Sequence, residues 1–313
     1  MRQVLAIRLH AFGPAENLRY EQVPSPQPGP GQVRVAVGSA GVHLIDTTIR
    51  RGVQMGPIPL PDLPAIPGRE VAGTVDALGD GVDPSWLGRR VVAHLGPHGA
   101  GGYAERAVVD LARLHALPDG LDVDAAVAAI GTGRTAQMIL DAARIADNDT
   151  VLIPAAAGGL GTLLVQAARN AGAEVVALAG GPEKVAIAER AGATFAVDYR
   201  DAGWVQAVRE LLDGNPVSLV LDGVGGDVGR AAQGLLGPDG RSVVFGWSSG
   251  EPAAPPNLSR PDDLRPYELR ALEAVATGAL RAHVHPAFPL RDAAAAHAAL
   301  ETRGTAGKVV LRP

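Results

Sequence analysis

Six residues, Ala156-Ala157-Gly158-Gly159-Leu160-Gly161, have the types and spacing to grip a phosphate. They fit the dinucleotide spacing G-x-G-x-x-G with alanine at the first glycine. Gly158 lets the backbone approach a pyrophosphate, and Gly161 lets the following helix pack closely on the preceding strand. Free N–H groups at the helix start then face the anion, with the helix dipole behind them. A purely structural turn is the rival reading in a chain of 40 glycines. About twenty positions on, where an NAD site carries an acidic residue for the ribose 2′-hydroxyl, the chain reads Ala179-Gly180-Gly181. No carboxylate stands there to repel a 2′-phosphate, and Lys184, with Lys308 one of only two lysines, follows at once. The residues therefore favour NADPH over NADH. The alternative for Lys184 is a solvated first-turn residue whose charge opposes the helix dipole.

These groups need a strand, a turn and a helix to hold them, and the sequence supplies that order. Residues 150–154 form a short apolar run of the kind buried in a parallel sheet. Leu160, Leu163, Leu164, Ala167 and Ala168 recur at helical spacing, Gly172 has the position of a C′ glycine, and 174–178 is the next apolar run. Further helices are expected at 121–130, 202–212 and 267–277. Further strands are expected at 217–221 and, after a Gly237-Pro238-Asp239-Gly240 turn, at 242–246. Glycines follow both: Asp222-Gly223-Val224-Gly225-Gly226 and Val244-Phe245-Gly246. Glycines at the carboxyl ends of parallel strands mark the crevice where a dinucleotide lies. Residues 1–120 read instead as short branched-residue strands at 4–9, 33–37, 71–75 and 90–93, separated by proline and glycine. Asp46 is expected to be the N-cap of a helix over 47–51.

Composition bounds the function. At 313 residues two domains are expected. The formal net charge of −5 gives nucleic acid no general electrostatic reason to bind. Cysteine is absent, which excludes disulfides, thiolate catalysis and cysteine-ligated zinc. The first residues read as a strand rather than a signal peptide, and no run of about 18 apolar residues suggests a membrane span. A cytoplasmic location is the simplest expectation. His94 with His98 and His283 with His285 lack a third ligand nearby in sequence, so loop histidines are preferred to a metal site.

The fingerprint, the following Val165-Gln166-Ala167-Ala168 and Gly192-Ala193 with Asp198-Tyr199-Arg200 resemble the zinc-independent quinone oxidoreductases of the medium-chain dehydrogenase/reductase superfamily. Ala40-Gly41-Val42-His43-Leu44-Ile45-Asp46, Gly101-Gly102-Tyr103-Ala104-Glu105, Gly133-Arg134-Thr135-Ala136 and Gly307-Lys308-Val309-Val310-Leu311 extend the resemblance over most of the chain. It implies an α/β fold: a GroES-like, β-rich catalytic domain over 1–122, completed by 256–313, and a doubly wound Rossmann NADPH-binding domain over 123–255. It implies cofactor contacts from Thr135, the Gly158, Gly159, Leu160, Gly161 turn, Gly180, Lys184, Tyr199, Gly223, Val224, Phe245 and Gly246. For Thr135, back-bonding within a helix is the structural alternative.

His43 replaces an asparagine of the family segment that lines the nicotinamide and substrate side of the cleft. A histidine there could donate a proton, or could serve as a hydrogen-bonded buried residue. Pro67-Gly68-Arg69-Glu70 stands where zinc-dependent members carry P-G-H-E, so Arg69 replaces a ligand and no metal is expected. Trp247 replaces a common asparagine, which would remove a cofactor hydrogen bond or place a packed edge aromatic. Relative to the family, 251–266 lacks roughly fifteen to twenty residues, including a strand used for dimer pairing, which bears on whether the chain is a homodimer. The implied activity is hydride transfer from NADPH to a small-molecule quinone or α,β-unsaturated carbonyl. An enoyl-thioester or polyketide-associated enoyl reductase and a non-catalytic NADPH-binding protein are the rivals.

Overall fold

The computed structural model describes residues 2–54, 59–96 and 101–313. From the N-terminus come β1 (Gln3–Leu9), β2 (Leu18–Pro24), β3 (Gln32–Val42), α1 (Leu44–Arg50), β4 (Glu70–Leu78), β5 (Arg90–His94), β6 (Arg106–Asp110) and β7 (Leu114–Ala116). Next are α2 (Val123–Val127), a π-helical stretch at Ala128–Gly133 and α3 (Arg134–Ala143). Strands and helices then alternate: β8 (Thr150–Ile153), α4 (Gly159–Asn170), β9 (Glu174–Ala179), α5 (Pro182–Ala191), β10 (Phe195–Asp198), α6 (Trp204–Leu211), β11 (Val217–Asp222), α7 (Gly226–Gln233) and β12 (Leu236–Val244). The chain continues with α8 (Arg265–Ala276), β13 (Phe288–Pro289), α9 (Ala293–Glu301) and β14 (Val309–Arg312).

Two compact units result, 1–131 with 284–313, and 132–283. The divisions differ from the expected 122/123 and 255/256. The reason is packing: α2 lies against β3, β4 and β5, while α8 lies against α3.

In the first unit a mixed sheet has the order β13-β14-β3-β4-β5-β7, with β6 also on β3, and β1 and β2 form a separate hairpin. Strand β3 is longer than expected because its outer edge is used twice. Its 32–36 half pairs with β6, and its 40–42 end pairs with β14. The core gathers Val33, Val35, Val75, Val91, Val109 and Leu311, all nearly inaccessible.

The second unit is a parallel sheet ordered β10-β9-β8-β11-β12, the doubly wound arrangement in which order reverses beside the first strand. Its strands are continuous apolar runs because both faces are covered. Val151, Ile153, Val175 and Leu219 face Ile139, Leu163 and Ala168. Leu152, Val176, Leu178 and Val220 face Trp204, Val208 and Leu235. The expected Gly237–Gly240 turn falls inside β12 and leaves its ladder with β11, whose partner jumps from Leu236 to Arg241. On the outer side of β12, Asn257 accepts from Val244 N (2.8 Å) and donates to the Ser242 carbonyl (2.9 Å). An amide side chain thus occupies edge groups that another strand would use.

Candidate active site

Candidate chemistry falls into two neighbourhoods, one in each unit. In the second unit β8 ends at a turn in which Ala155 takes φ 52°, a left-handed conformation unusual for alanine. Gly158 caps α4 in extended geometry. A methyl group added at Gly161 would lie 2.4 Å from the Ala155 carbonyl and 2.7 Å from the Ala156 α-carbon. Glycine is what lets helix and strand approach this closely. At Gly158 the same addition meets only one atom, at 3.3 Å, so the outer side of the turn is open. Gly158, Gly159 and Leu160 are half-buried at the start of a twelve-residue helix, where backbone N–H groups lack intrahelical partners. This cradle fits a dinucleotide pyrophosphate.

Beside it, β9 ends at Ala179, and α5 begins after Gly180 and Gly181, the latter at φ 99°. A methyl at Gly180 would meet the Tyr199 hydroxyl at 2.7 Å, so tyrosine lies over glycine. Lys184 is the third residue of α5 and half-buried. A carboxylate at this corner is Asp198, at the end of β10. It accepts from Gly181 N (3.0 Å), Arg200 N (3.0 Å) and the Arg200 guanidinium (3.0 and 3.1 Å). Those donations hold the Asp198 carboxyl well below the usual carboxylate range. Arg200 is therefore a second cation at this corner, quoted in the Asp198-Tyr199-Arg200 motif but given no role by sequence reasoning.

At the carboxyl end of β11, buried Asp222 accepts from Val224 N (2.8 Å) and Gly225 N (2.9 Å) and so shapes the 223–226 turn. The Phe245 ring lies over Gly223, 2.4 Å from where a β-carbon would stand. Gly246 also approaches the Gly223 backbone, so both glycine segments after β11 and β12 are close together. Thr135 occupies the second position of α3, half-buried, directly after the π-helical stretch. Trp247 is 36% exposed in the loop beyond β12.

In the first unit, α1 starts one turn earlier than expected and His43, not Asp46, is its N-cap. Asp46 is the third helical residue, and its carboxylate accepts from the His43 backbone N–H at 2.8 Å. The same carboxylate accepts from Tyr103 Oη (3.2 Å) and Arg69 Nε (3.3 Å). Burial pushes the Asp46 carboxyl up, but Arg69 and then His43 outweigh it and hold it low. Burial pushes the Tyr103 phenol up. Tyr103 Oη also lies 3.2 Å from His297 Nε2, and burial lowers His297 to about 4. His297 is therefore a neutral imidazole at pH 7.

The His43 imidazole enters a triangle of titratable groups. Its Nε2 lies 2.6 Å from Glu70 Oε1 and 2.8 Å from Lys308 Nζ, and Lys308 Nζ donates to Glu70 Oε2 at 2.9 Å. Glu70 is fully buried and Lys308 nearly so. Burial pushes the Glu70 carboxyl up, but His43, Lys308 and His94 more than offset it and hold it well below the usual range. Nε2 offers either one lone pair or one N–H. With the proton on Nε2 it donates to Glu70; without it, it accepts from Lys308 and Glu70 Oε1 loses that partner. No single placement of the imidazole proton satisfies both neighbours at once. Two of the three escaped the sequence reading. Lys308 was conspicuous as one of two lysines, and Glu70 as the neighbour of Arg69, but nothing in sequence joins positions this far apart.

The donor set does not suit zinc. There is no cysteine, an ammonium and a guanidinium (Lys308, Arg69) stand beside the carboxylates, and among the described residues no group of three or more His, Cys, Asp or Glu could hold a metal. His94 Nδ1 accepts from Gly96 N at 3.1 Å, and His98 lies outside the described residues. His285 stacks on Phe288.

Residues 29–119 match the alcohol dehydrogenase GroES-like domain, and residues 159–266 match the zinc-binding dehydrogenase family. The chain is 33% identical to a quinone oxidoreductase of Pseudomonas aeruginosa over 98% of this chain and 99% of that protein. It is 32% identical to a 2-haloacrylate reductase of a Burkholderia species, over 99% of both. The structure of Escherichia coli quinone oxidoreductase complexed with NADPH superposes with a TM-score of 0.86 at 30% identity, covering 99% of this chain and all of that one.

Proposed function

Since the chain belongs to the quinone oxidoreductase family of the medium-chain dehydrogenase/reductase superfamily, we propose that it reduces a quinone or a related α,β-unsaturated carbonyl with NADPH and without a metal. The observation that carries the cofactor choice is the corner after β9. It offers Lys184, Tyr199 and Arg200, and the Asp198 carboxylate is already occupied by donors. The relative whose structure contains NADPH and the relative named for 2-haloacrylate, an activated alkene, both support this reading.

NADPH, when bound, supplies the hydride. The Gly158–Gly161 turn holds the pyrophosphate through backbone N–H groups, which bind the anion without bringing a side chain near it. Lys184 and Arg200 would hold the 2′-phosphate through charge-assisted hydrogen bonds. Gly223, Val224, Phe245 and Gly246, at the carboxyl ends of β11 and β12, border the crevice expected beside the strand-order reversal. Reduction of either substrate by hydride also consumes one proton. His43 would hold that proton, and Glu70 and Lys308 position the imidazole.

A panel of quinones, activated alkenes and enoyl thioesters, each assayed for oxidation of NADPH and of NADH, tests the proposal. Turnover of quinones or activated alkenes with NADPH is the expected result. Equal use of NADH, or oxidation coupled only to enoyl thioesters, would refute it.

A further inference from the structure

A cavity of about 490 Å³ lies within the second unit, between the C-terminal parts of α4 and α5 and the segment 278–283. Arg169, Arg190, Arg281 and His283 line it, and no carboxylate does. Among the described residues none of the three arginines forms an ion pair, in a chain whose formal net charge is −5. Helix dipoles account for two of these positions, because Arg169 and Arg190 fall in the last turns of α4 and α5, where positive charge is favourable. They do not account for Arg281, which belongs to no helix.

The walls are fixed in place. Gln166 donates to the Arg281 carbonyl (2.9 Å) and accepts from Arg281 N (2.8 Å), and Asn170 donates to the Ala279 carbonyl (2.9 Å). Leu280 anchors the segment in the core. The stem of Arg169 lies over Gly192, 2.4 Å from where a β-carbon would stand, so its guanidinium is carried on a confined stem. Guanidinium groups pair with phosphate oxygens in bidentate fashion. Each phosphate group carries roughly 1.5 to 2 negative charges, so two linked phosphates balance three guanidiniums. The volume lies within the roughly 300–1,000 Å³ of small-molecule sites.

We propose that this cavity binds a ligand carrying two linked phosphate groups, at a site separate from the dinucleotide turn. Arg169 lies ten residues beyond Gly159 on α4, about 15 Å along the axis, so the arginine end of the cavity is remote from the turn, while Thr162 at its near end directly follows Gly161. The test is calorimetric titration of inorganic pyrophosphate, and separately of ADP, into protein saturated with NADPH. Saturable binding that weakens with added salt is expected. Arg281→Ala should weaken it by at least about tenfold, Arg281→Lys by less, and Lys184→Ala not at all. NADPH affinity and the circular dichroism spectrum of the arginine variants should match those of the parent. Equal binding of the two probes assigns the site to a free polyphosphate, and tighter ADP binding to a nucleotide-borne one. Absence of saturable binding, displacement of pyrophosphate by NADPH, or unchanged affinity in Arg281→Ala would overturn the proposal.

Discussion

Replacing Glu70 by glutamine should cost more than any exposed substitution in the first unit, and the geometry says why. The carboxylate is fully buried and faces His43 Nε2 at 2.6 Å and Lys308 Nζ at 2.9 Å. Glutamine keeps the shape but leaves Lys308, only 4% exposed, without its counter-charge. Removing one partner of a buried pair typically costs about 3–5 kcal/mol. Relaxation cannot recover much of this. A β-carbon at Gly131 would lie 1.4 Å from Glu70 Oε1 and one at Gly41 would lie 2.2 Å from Oε2, so backbone hems the carboxylate in on both sides. Lys308→Met should cost a similar amount for the converse reason, whereas the double variant Glu70→Gln/Lys308→Met should cost far less than the two together. A coupling of about 3 kcal/mol or more is expected for groups in such contact. Hydrogen exchange at the β3 and β4 amides reads the stability of this unit apart from the other. Additive costs, or a Glu70→Gln loss below about 1 kcal/mol, would refute the claim that these charges form one buried set.

Other outcomes follow from the same structure. Lys184→Ala should raise the Kd for NADPH by about tenfold to a hundredfold, the worth of one charge-assisted hydrogen bond, and leave NADH nearly unchanged in fluorescence titrations. His43→Asn should lower kcat on activated alkenes more than on quinones; equal, small effects in steady-state assays would return His43 to a structural role. Turnover should survive exhaustive chelation, whereas a stoichiometric zinc found by elemental analysis, with activity lost on its removal, would sink the metal-free reading. His297 sits at about 4 in the fold against an ordinary 6.5. As pH falls through that window the unfolded chain takes up a proton that the folded chain resists, so stability declines by about 3 kcal/mol at 1.36 kcal/mol per unit. His297→Leu should remove this slope, as urea midpoints across pH 4 to 7 would reveal.

The dinucleotide half was legible in sequence because its signals are local. The strand, Gly158–Gly161 turn, helix and second strand are consecutive, and parallel strands buried on both faces announce themselves as apolar runs. The other half depends on pairing across the chain. Val42 meets Val309, and His43 meets Glu70 and Lys308, none of which periodicity can reveal. Asp46 was misread by three positions because an acidic residue suits both the N-cap and the third helical position, and only the His43 N–H contact decides between them. The Gly237–Gly240 segment carries turn residues and stands outside the ladder, the partner of β11 jumping from Leu236 to Arg241.

The order in which these contacts can form during synthesis matters as much as their final geometry. Strand β14 reaches β3 only about 270 residues after β3 has left the ribosome, roughly ten to fifty seconds at about 5–20 residues per second. Until then the 40–42 edge of β3 lies open, and Glu70 has no ammonium to meet. The intervening residues 132–283 form a unit of their own and can be complete in the meantime. A nascent chain that stops short of Lys308 would thus hold an unpaired strand edge and an uncompensated buried carboxylate, two features that quality-control proteases and chaperones can act on. Closing the first unit with β14 and the lysine just before it makes its stability a report on whether translation has passed residue 308.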